Sequence, residues 1–432
     1  MSSELKRILS PAMIWGLGVG YVISGNYFGW NLGLEQGGTL GLAVATAFVI
    51  VMYITFTYSY AELACAIPKA GGAFDYATRA LGKEIGFFAG MAQSIEFIFA
   101  PPAIAFAVGS YMNLFFPVFP AITFSIAAYV VFTGLNIYGI QAAATFELFV
   151  TVIAVSGLIF FAGMAAPHAH LANLSRNVLP NGVAGIFAAV PFAIWFFLGI
   201  EGVANLAEET VDPRKAMSRG FLSALFTLVA LCVLTFTLSI GTGGWEAIVY
   251  QQTGVASDSP LPLAIGRVHG QNGWAYNAIV VAGIFGLVAS LNGLMLAAGR
   301  SSYEFAKSRF GSRHIGKLHP GFKTPANALV LNMGIGILAL LTGHTGEVIT
   351  ISVFGALTLY CISMIALLTL RRNEPQLTRP FKVPLYPYFP IAALVIAVAA
   401  LLAVAIYNPM LSVFYLLIIG GCYGIFRISK KI

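Results

Sequence analysis

Glu201 stands in the run WFFLGIEGVANLAEE, residues 195 to 209, with Gly199 and Gly202 on either side and two further acids closing the stretch. Burying a carboxylate among apolar residues is costly unless a partner neutralises it. Glu96 repeats the anomaly in AQSIEFIFAPPAIAF, residues 92 to 106, and Glu147 repeats it less deeply in ATFELFV. No lysine or arginine lies near the middle of any of these apolar runs. Two such acids cannot both stay ionised in a closed dry site, so each calls for a cation, a proton or water. The expected ligand is therefore cationic. An organic ammonium is also held by the negative face of an aromatic ring, which singles out Trp195, with Phe99 as a further substrate-binding candidate in the run that carries Glu96. The six histidines show no metal-ligand spacing, and no metal site is expected. The four cysteines fall in or at the ends of apolar runs, where they pack, and imply no disulfide framework.

The elements that position these acids follow from composition. The chain has 432 residues, of which 59% are hydrophobic and only 9% charged. That leaves too little polar surface to cover a soluble globule of this size. Apolar stretches of bilayer-spanning length recur twelve times, at residues 11–35, 39–66, 85–116, 120–138, 141–165, 183–206, 217–241, 274–299, 325–342, 348–370, 387–407 and 410–427. Long non-alternating runs select helices over a barrel, so the expected fold class is an all-α polytopic membrane protein with twelve spans. An even count places both termini on one side. If that side is cytoplasmic, only Arg176 and Arg267 of the 23 basic residues fall outside, in keeping with the positive-inside rule. The same asymmetry accounts for the net charge of +7 as a topology signal and speaks against a nucleic-acid footprint. The first span is too long for a signal peptide and lacks a cleavage site, so it is expected to be retained.

Two spans are interrupted. Glycines fall near the middle of the first, in GYVISGNYFGW (residues 20–30), and of the sixth, in FFLGIEGV (residues 196–203). Interrupted segments at matching positions of two halves point to a transporter site near the membrane midplane. Glycines in spans also serve close helix packing, but the matched positions, the helix-poor Ser24-Gly25-Asn26 and the adjoining Glu201 favour the site. With five spans per half, the halves must be inverted. On an unbroken helix Trp195 and Glu201 would point roughly 120° apart; a break around Leu198-Gly199-Ile200 would turn both toward one cavity. The expected divisions are an N-terminal cytoplasmic segment (1–10), a first repeat (11–166), a second repeat (167–372), and two further spans with a cytoplasmic C-terminus (373–432).

Three long motifs carry a family resemblance. YAELACAIPKAGGAFDYATRALG (residues 60–82), GIEGVANLAEETVDPRKAMSRG (199–220) and GRSSYEFAKSRFGSRHIGKLHPGFKTPANAL (299–329) resemble, in order, the second-helix signature, the sixth helix with its exit, and the eighth-to-ninth connection of the amino acid-polyamine-organocation transporter superfamily. Within it, the opening SPAMIWGLGVGYVISGNYFGWNLGLEQGGTLGLA (10–43) is most similar to bacterial ethanolamine permeases. The resemblance implies a LeuT-like core of five plus five inverted helices, with helices 1 and 6 discontinuous, followed by two more. It also implies that Trp195 lies where arginine-agmatine exchangers keep an aromatic residue over a cationic side chain, and Glu201 at their sixth-helix glutamate. Members carrying amino acids usually have Gly-Ser-Gly or Gly-Ala-Gly at the first break, where backbone amides receive the substrate carboxylate. Here Ile23-Ser24-Gly25-Asn26 replaces it, and Ile23 obstructs close backbone approach. Span 5 also lacks the lysine that proton-coupled members can carry there: TVIAVSGL (151–158) has none.

The expected function is a secondary transporter, a permease of the bacterial inner membrane, importing a small organic amine such as ethanolamine by alternating access. The expected substrate-binding residues are Ile23, Ser24, Gly25, Asn26, Glu96, Phe99, Trp195, Gly199, Glu201, Ser290 and Asn292; Asn26, Ser290 and Asn292 are the candidates for the hydroxyl. Glu201, Glu96 and Ser290 are the candidates for coupling to H+ or Na+, and no cofactor is expected. Glu147 is expected to be structural or to act at a gate. The partners are the amine and the lipid bilayer. An amino acid or polyamine carrier of the same superfamily is the near alternative, and a nutrient receptor the alternative of another class. No histidine cluster, serine dyad or cofactor loop suggests an enzyme.

Overall fold

The computed structural model describes residues 9–139, 143–251 and 254–429. Most of the expected N-terminal segment, with Lys6 and Arg7, and the terminal Lys430 and Lys431 lie outside the described residues. Those residues form helices and no β-strand, apart from two isolated bridges. In chain order the elements that matter are α1 (Pro11–Val22), α2 (Ser24–Tyr27), α3 (Leu32–Ala66), α4 (Ala73–Leu81), α5 (Lys83–Phe115), α6 (Ala121–Tyr138), α7 (Ala143–Ala165), α8 (Gly182–Ala188) and α9 (Val190–Trp195). A 3-10 segment (Ile200–Glu209) follows, then α10 (Leu222–Gly241), α11 (Trp274–Phe305), α12 (Ala326–Leu340), α13 (Thr345–Asn373), α14 (Tyr388–Tyr407) and α15 (Pro409–Ser429).

Ten helical stretches among the described residues are long and apolar enough to cross a membrane, and two shorter apolar helices, α1 and α12, sit where the first and ninth spans were expected. The chain is a multi-pass membrane protein. Its most enclosed helices are α5 and α13, which run against each other, while α11 packs along both α5 and α7. α14 and α15 are largely peripheral and present exposed Val395, Leu402, Leu416 and Leu417 outward. This separation reflects sequence: α5 and α13 carry small residues such as Ala92 and Gly355 at their contact, where a Cβ on Gly355 would press on the Glu96 backbone, so the helices approach closely.

The boundary between the first two expected spans differs from the sequence reading. The first ends by Tyr27, and residues 32–35 belong instead to α3, which bends at Gly38 (φ +62°, ψ −169°). A side chain at Gly38 would strike the Val178 carbonyl, so the bend depends on glycine both for its dihedrals and for its packing. The sixth expected span is α-helical only as far as Trp195 and continues beyond Gly199 as the ten-residue 3-10 segment.

Several basic residues are paired with acids. Glu62, fully buried at the foot of α3, accepts both arms of Arg371 (2.7 and 2.7 Å), the Val383 amide (2.7 Å) and the Arg379 guanidinium (3.2 Å). Arg79 and Glu374 pair at the rim (2.6 Å), and each charge favours the other's ionised form, holding the Glu374 carboxyl below its usual range. Leu9, just before α1, is bonded on both sides to the end of the 3-10 segment: its N–H donates to Glu209 O (3.1 Å), and its carbonyl accepts from Val211 N (3.2 Å). Arg300 of α11 locks Glu209 at 2.7 Å.

Candidate functional site

The two interruptions meet. A Cβ on Gly25 would stand on the carbonyl oxygen of Trp195 and 3.1 Å from Phe196 Cα, so α2 touches the end of α9 backbone to backbone. The indole of Trp195 lies over Gly29 and edge-on to Phe28, with ring centroids 5.5 Å apart.

The first interruption is milder than expected at Ser24-Gly25-Asn26. Ile23 is right-handed helical (φ −59°, ψ −23°), and Ser24–Tyr27 form one helical turn. The reason is Ser290 of α11. Its hydroxyl donates to Gly20 O (2.6 Å) and accepts from Ser24 N–H (3.0 Å), inserting itself into the ladder bond that would join those two residues. The chain becomes extended only at Phe28 (φ −160°, ψ 173°) and turns at Gly29 (φ +85°). Asn31 accepts the Gly29 N–H (3.1 Å) and donates to Ser257 O (2.7 Å), which fixes that turn.

The second interruption falls where glycine allows it. Gly199 is left-handed (φ +96°, ψ −7°), a conformation that costs a side-chain-bearing residue strain. The chain then delivers Glu201 into the interior, 1% exposed, where Oε2 accepts from Tyr360 OH at 2.8 Å. Tyr360 in turn meets Tyr53 OH (3.0 Å), whose ring leans on Phe197 (centroids 5.1 Å). Glu96 of α5, fully buried, places its carboxyl against that of Glu201. Neither carboxyl has a basic partner. Glu201 Oε1, both Glu96 oxygens, both Asn26 side-chain atoms and Trp195 Nε1 are buried without a hydrogen-bond partner among the described residues.

The structure thus forms two clusters, Gly25, Phe28 and Gly29 against Trp195, and Glu201 with Glu96 and Tyr360, joined in the chain through Gly199. It does not bring all the expected residues there. Phe99 is half-buried and packs on the wider core. Asn292 turns toward α6 and α7, accepting from Asn136 Nδ2 (3.0 Å) and lying beside Glu147. The common chamber expected for Trp195 and Glu201 is also not an open one. Two cavities of about 750 and 400 Å³ have walls that include Phe192, Thr350 and Asp258 but not Glu201, Glu96 or Trp195. The carboxyl pair is packed within protein.

Sequence reasoning missed Tyr360, Tyr53 and Asn31. Tyr360 sits in LTLYCISM without a break, a charge or a glycine to mark it, in a chain with 18 tyrosines. Asn31 had a usable signal: an amide two residues after a glycine suited to a turn.

Helices long enough to span a bilayer, two of them interrupted against each other with carboxylates beside the break, define a membrane transporter. Residues 10–423 match the family model described as amino acid permease. The chain belongs to that family, within the amino acid-polyamine-organocation superfamily, and is a transporter and not an enzyme. It is similar to the branched-chain amino acid permease BcaP of Bacillus subtilis (27% identity over 90% of this chain and 86% of that one). It is also similar to the low-affinity putrescine importer PlaP of Escherichia coli K12 (26% over 78% and 75%) and to an uncharacterized transporter of Rhizobium meliloti (27% over 95% and 89%).

Proposed function

We propose that this chain carries a small organic amine, ethanolamine being the first to test, across a bacterial inner membrane by alternating access, with both termini cytoplasmic. The twelve-span, five-plus-five inverted-repeat arrangement is part of the same proposal. The observation that carries it is the Glu201–Glu96 pair: two buried carboxyls in contact with each other and, among the described residues, no basic partner and no donor from any other side chain or backbone group to three of their four oxygens. Buried polar atoms in native proteins are satisfied by protein, water or ligand, and an ammonium with its N–H donors suits this set. The loss of the leading glycine at Ile23 removes close access to the backbone where a substrate carboxylate would dock, which favours an amine over an amino acid. Trp195 faces the same break and supplies the ring for the cation. Tyr360 holds Glu201 in place, and entry of substrate requires the packing around Tyr360 and Trp195 to open.

Glu201→Gln keeps the shape and removes the charge. Uptake of labelled ethanolamine by proteoliposomes should be abolished while the unfolding temperature stays near that of the parent; normal uptake would remove Glu201 from the mechanism. A thermal-shift panel of ethanolamine, alanine, arginine and putrescine tests the substrate class, because a ligand stabilises the state it binds. Stabilisation by the carboxylate-bearing ligands alone would show that the argument from Ile23 is mistaken.

A further inference from the structure

The connection between α11 and α12 forms a second surface with a chemistry of its own. From Phe305 to Gly346 the sequence holds Lys307, Arg309, Arg313, Lys317 and Lys323 and no aspartate or glutamate. Arg313, Lys317 and Lys323 are exposed, and none of the three is in an ion pair among the described residues. The tip of this connection is tied into one shape. His319 N–H donates to Thr324 O (2.8 Å) and Lys323 N–H to His319 O (2.9 Å), while the N–H groups of Gly321 and Phe322 both donate to His319 Nδ1 (3.2 Å each). Accepting at Nδ1 leaves the ring proton on Nε2, which has no protein partner among the described residues. Lys323 closes the turn in a left-handed conformation (φ +59°). The tip is fastened to the end of α6: Thr324 Oγ1 donates to Ile137 O (2.5 Å), and the Phe322 ring stands edge-on to Tyr138, centroids 4.8 Å apart, with His319 stacked on it at 4.7 Å.

Two apolar helices that pack on each other meet this tip, α6 ending at Tyr138 and α12 beginning at Ala326. Each presents an apolar stripe outward. On α6 the exposed residues are Val131, Leu135 and Tyr138, at i, i+4 and i+7; on α12 they are Val330, Leu331 and Leu338. Such stripes lie against acyl chains, and an exposed aromatic pair at the end of a span marks headgroup depth. We propose that the seam of α6 and α12, with the tied loop above it, binds one anionic phospholipid, its phosphate received by the Lys317, His319 and Lys323 donors and its chains laid along the two stripes. Charge selects the class of lipid. Ammonium groups with no acid among them repel one another, and an anion relieves that repulsion, whereas a zwitterionic headgroup brings its own ammonium against them. General attraction to an anionic leaflet acts on every basic loop; this one adds a preformed turn, which loses little freedom on binding. The site shares no residue with the interruptions or the carboxyl pair, so it stands whatever the transported substrate is.

The test uses the full-length protein with dioleoyl phosphatidylglycerol and dioleoyl phosphatidylcholine, which share their chains and differ in headgroup charge. In native mass spectrometry of the detergent-solubilised protein with an equal mixture of the two, the parent should retain phosphatidylglycerol in preference. Each lysine beside an anionic headgroup contributes about fivefold in affinity, so the double variant Lys317→Gln with Lys323→Asn should bind phosphatidylglycerol about twenty-five-fold more weakly. Asparagine is chosen at 323 because it tolerates the left-handed backbone. Lys69→Gln with Lys382→Gln removes the same charge from other exposed positions and should keep the parent's preference; an equal loss there would reduce the binding to diffuse attraction and overturn the site. Millimolar inorganic phosphate should leave the lipid bound, and displacement by it would overturn the lipid as occupant. A second measurement needs no variant. Phosphatidylglycerol carrying a photoactivatable diazirine in an acyl chain, irradiated with the unmutated protein in liposomes, should label α6 and α12 severalfold more than the equally peripheral α14 and α15. Labelling no higher than on α14 and α15, or matched by the phosphatidylcholine analogue, overturns the proposal.

Discussion

Replacing Gly25 by alanine adds a single methyl group at the point where the two interruptions touch, and its cost follows from the geometry. The new Cβ would overlap the Trp195 carbonyl oxygen and stand 3.1 Å from Phe196 Cα, both backbone atoms that cannot rotate away. Restoring van der Waals separation requires α2 and the end of α9 to part by about 1 Å. Overpacking of this kind costs about 1–3 kcal/mol. In a chain of this length that lowers the unfolding temperature by only a few degrees, about what smaller domains show for 1 kcal/mol. The effect on transport is far larger if the contact positions substrate, since a misplacement of about 1 Å at a reacting or binding centre costs on the order of a hundredfold. The helical dihedrals of Gly25 accept alanine without backbone strain, so the packing effect is isolated. The assay is initial-rate uptake in proteoliposomes alongside differential scanning fluorimetry of the same preparation. A variant that unfolds within a few degrees of the parent yet transports at least a hundredfold more slowly supports the reasoning. Uptake within threefold of the parent would refute it, and would mean that the meeting of α2 and α9 is only structural.

Two further expectations concern the ends of the bundle. Glu62→Gln leaves Arg371 and Arg379 without their carboxylate in an enclosed site; breaking a buried pair costs about 3–5 kcal/mol, so this variant should show a larger fall in unfolding temperature than Gly25→Ala, and a fall no greater would refute the clasp. Asp258, partly buried in the connection before α11, has its carboxyl pushed up by burial to about 6, with the Thr345 hydroxyl (3.0 Å) acting in the opposite direction. A folded pKa above the ordinary 3.8 means that the native state binds the proton more tightly, so this group lowers stability as pH rises from about 4 to about 6 and the penalty is complete above that. Asp258→Asn should therefore raise the unfolding temperature at pH 7.5 by about 2 °C and leave it unchanged at pH 4; equal effects at both would refute the assignment.

The positions of the helices were legible in the apolar runs, and the two interruptions in their glycines, because both are local properties of the chain. Gly199 adopts the left-handed conformation that its setting suggests. The neighbourhood of Glu201 was not legible. Glu96 and Tyr360 are distant in sequence, and only the packing of α5 and α13 around the 3-10 segment brings them to it. Asn292 illustrates a subtler limit. It lies two residues after Ser290, which rotates it about 200° around the helix, so Ser290 faces α1 and Asn292 faces Glu147. Both were grouped with the site because both are polar in one stretch of span; the helical period separates them. The mild first interruption was likewise hidden, since nothing near Ser24 announces that a hydroxyl from α11 will complete its ladder.

The barriers on the two sides of the carboxyl pair are unequal. Phe192 lines the larger cavity, and Trp195, in contact with Gly25, lies one turn further along α9, about 5 Å away. Joining that cavity to the interruption therefore means displacing side chains over roughly one turn. Toward Leu9, an opening must break the Leu9 bonds to residues 209 and 211 and the Arg300–Glu209 pair, and disturb the Glu62 clasp. Hydrogen bonds contribute about 1 kcal/mol each and the buried clasp about 3–5 kcal/mol, so this side is the costlier to open. A ligand shifts such an equilibrium only by the difference in its affinity for the two forms. A cation held between Glu201 and Glu96 supplies that difference if closing α9 over it brings Trp195 onto the ammonium, and the closed packing of the pair, with its unsatisfied oxygens, is what such a ligand would act on.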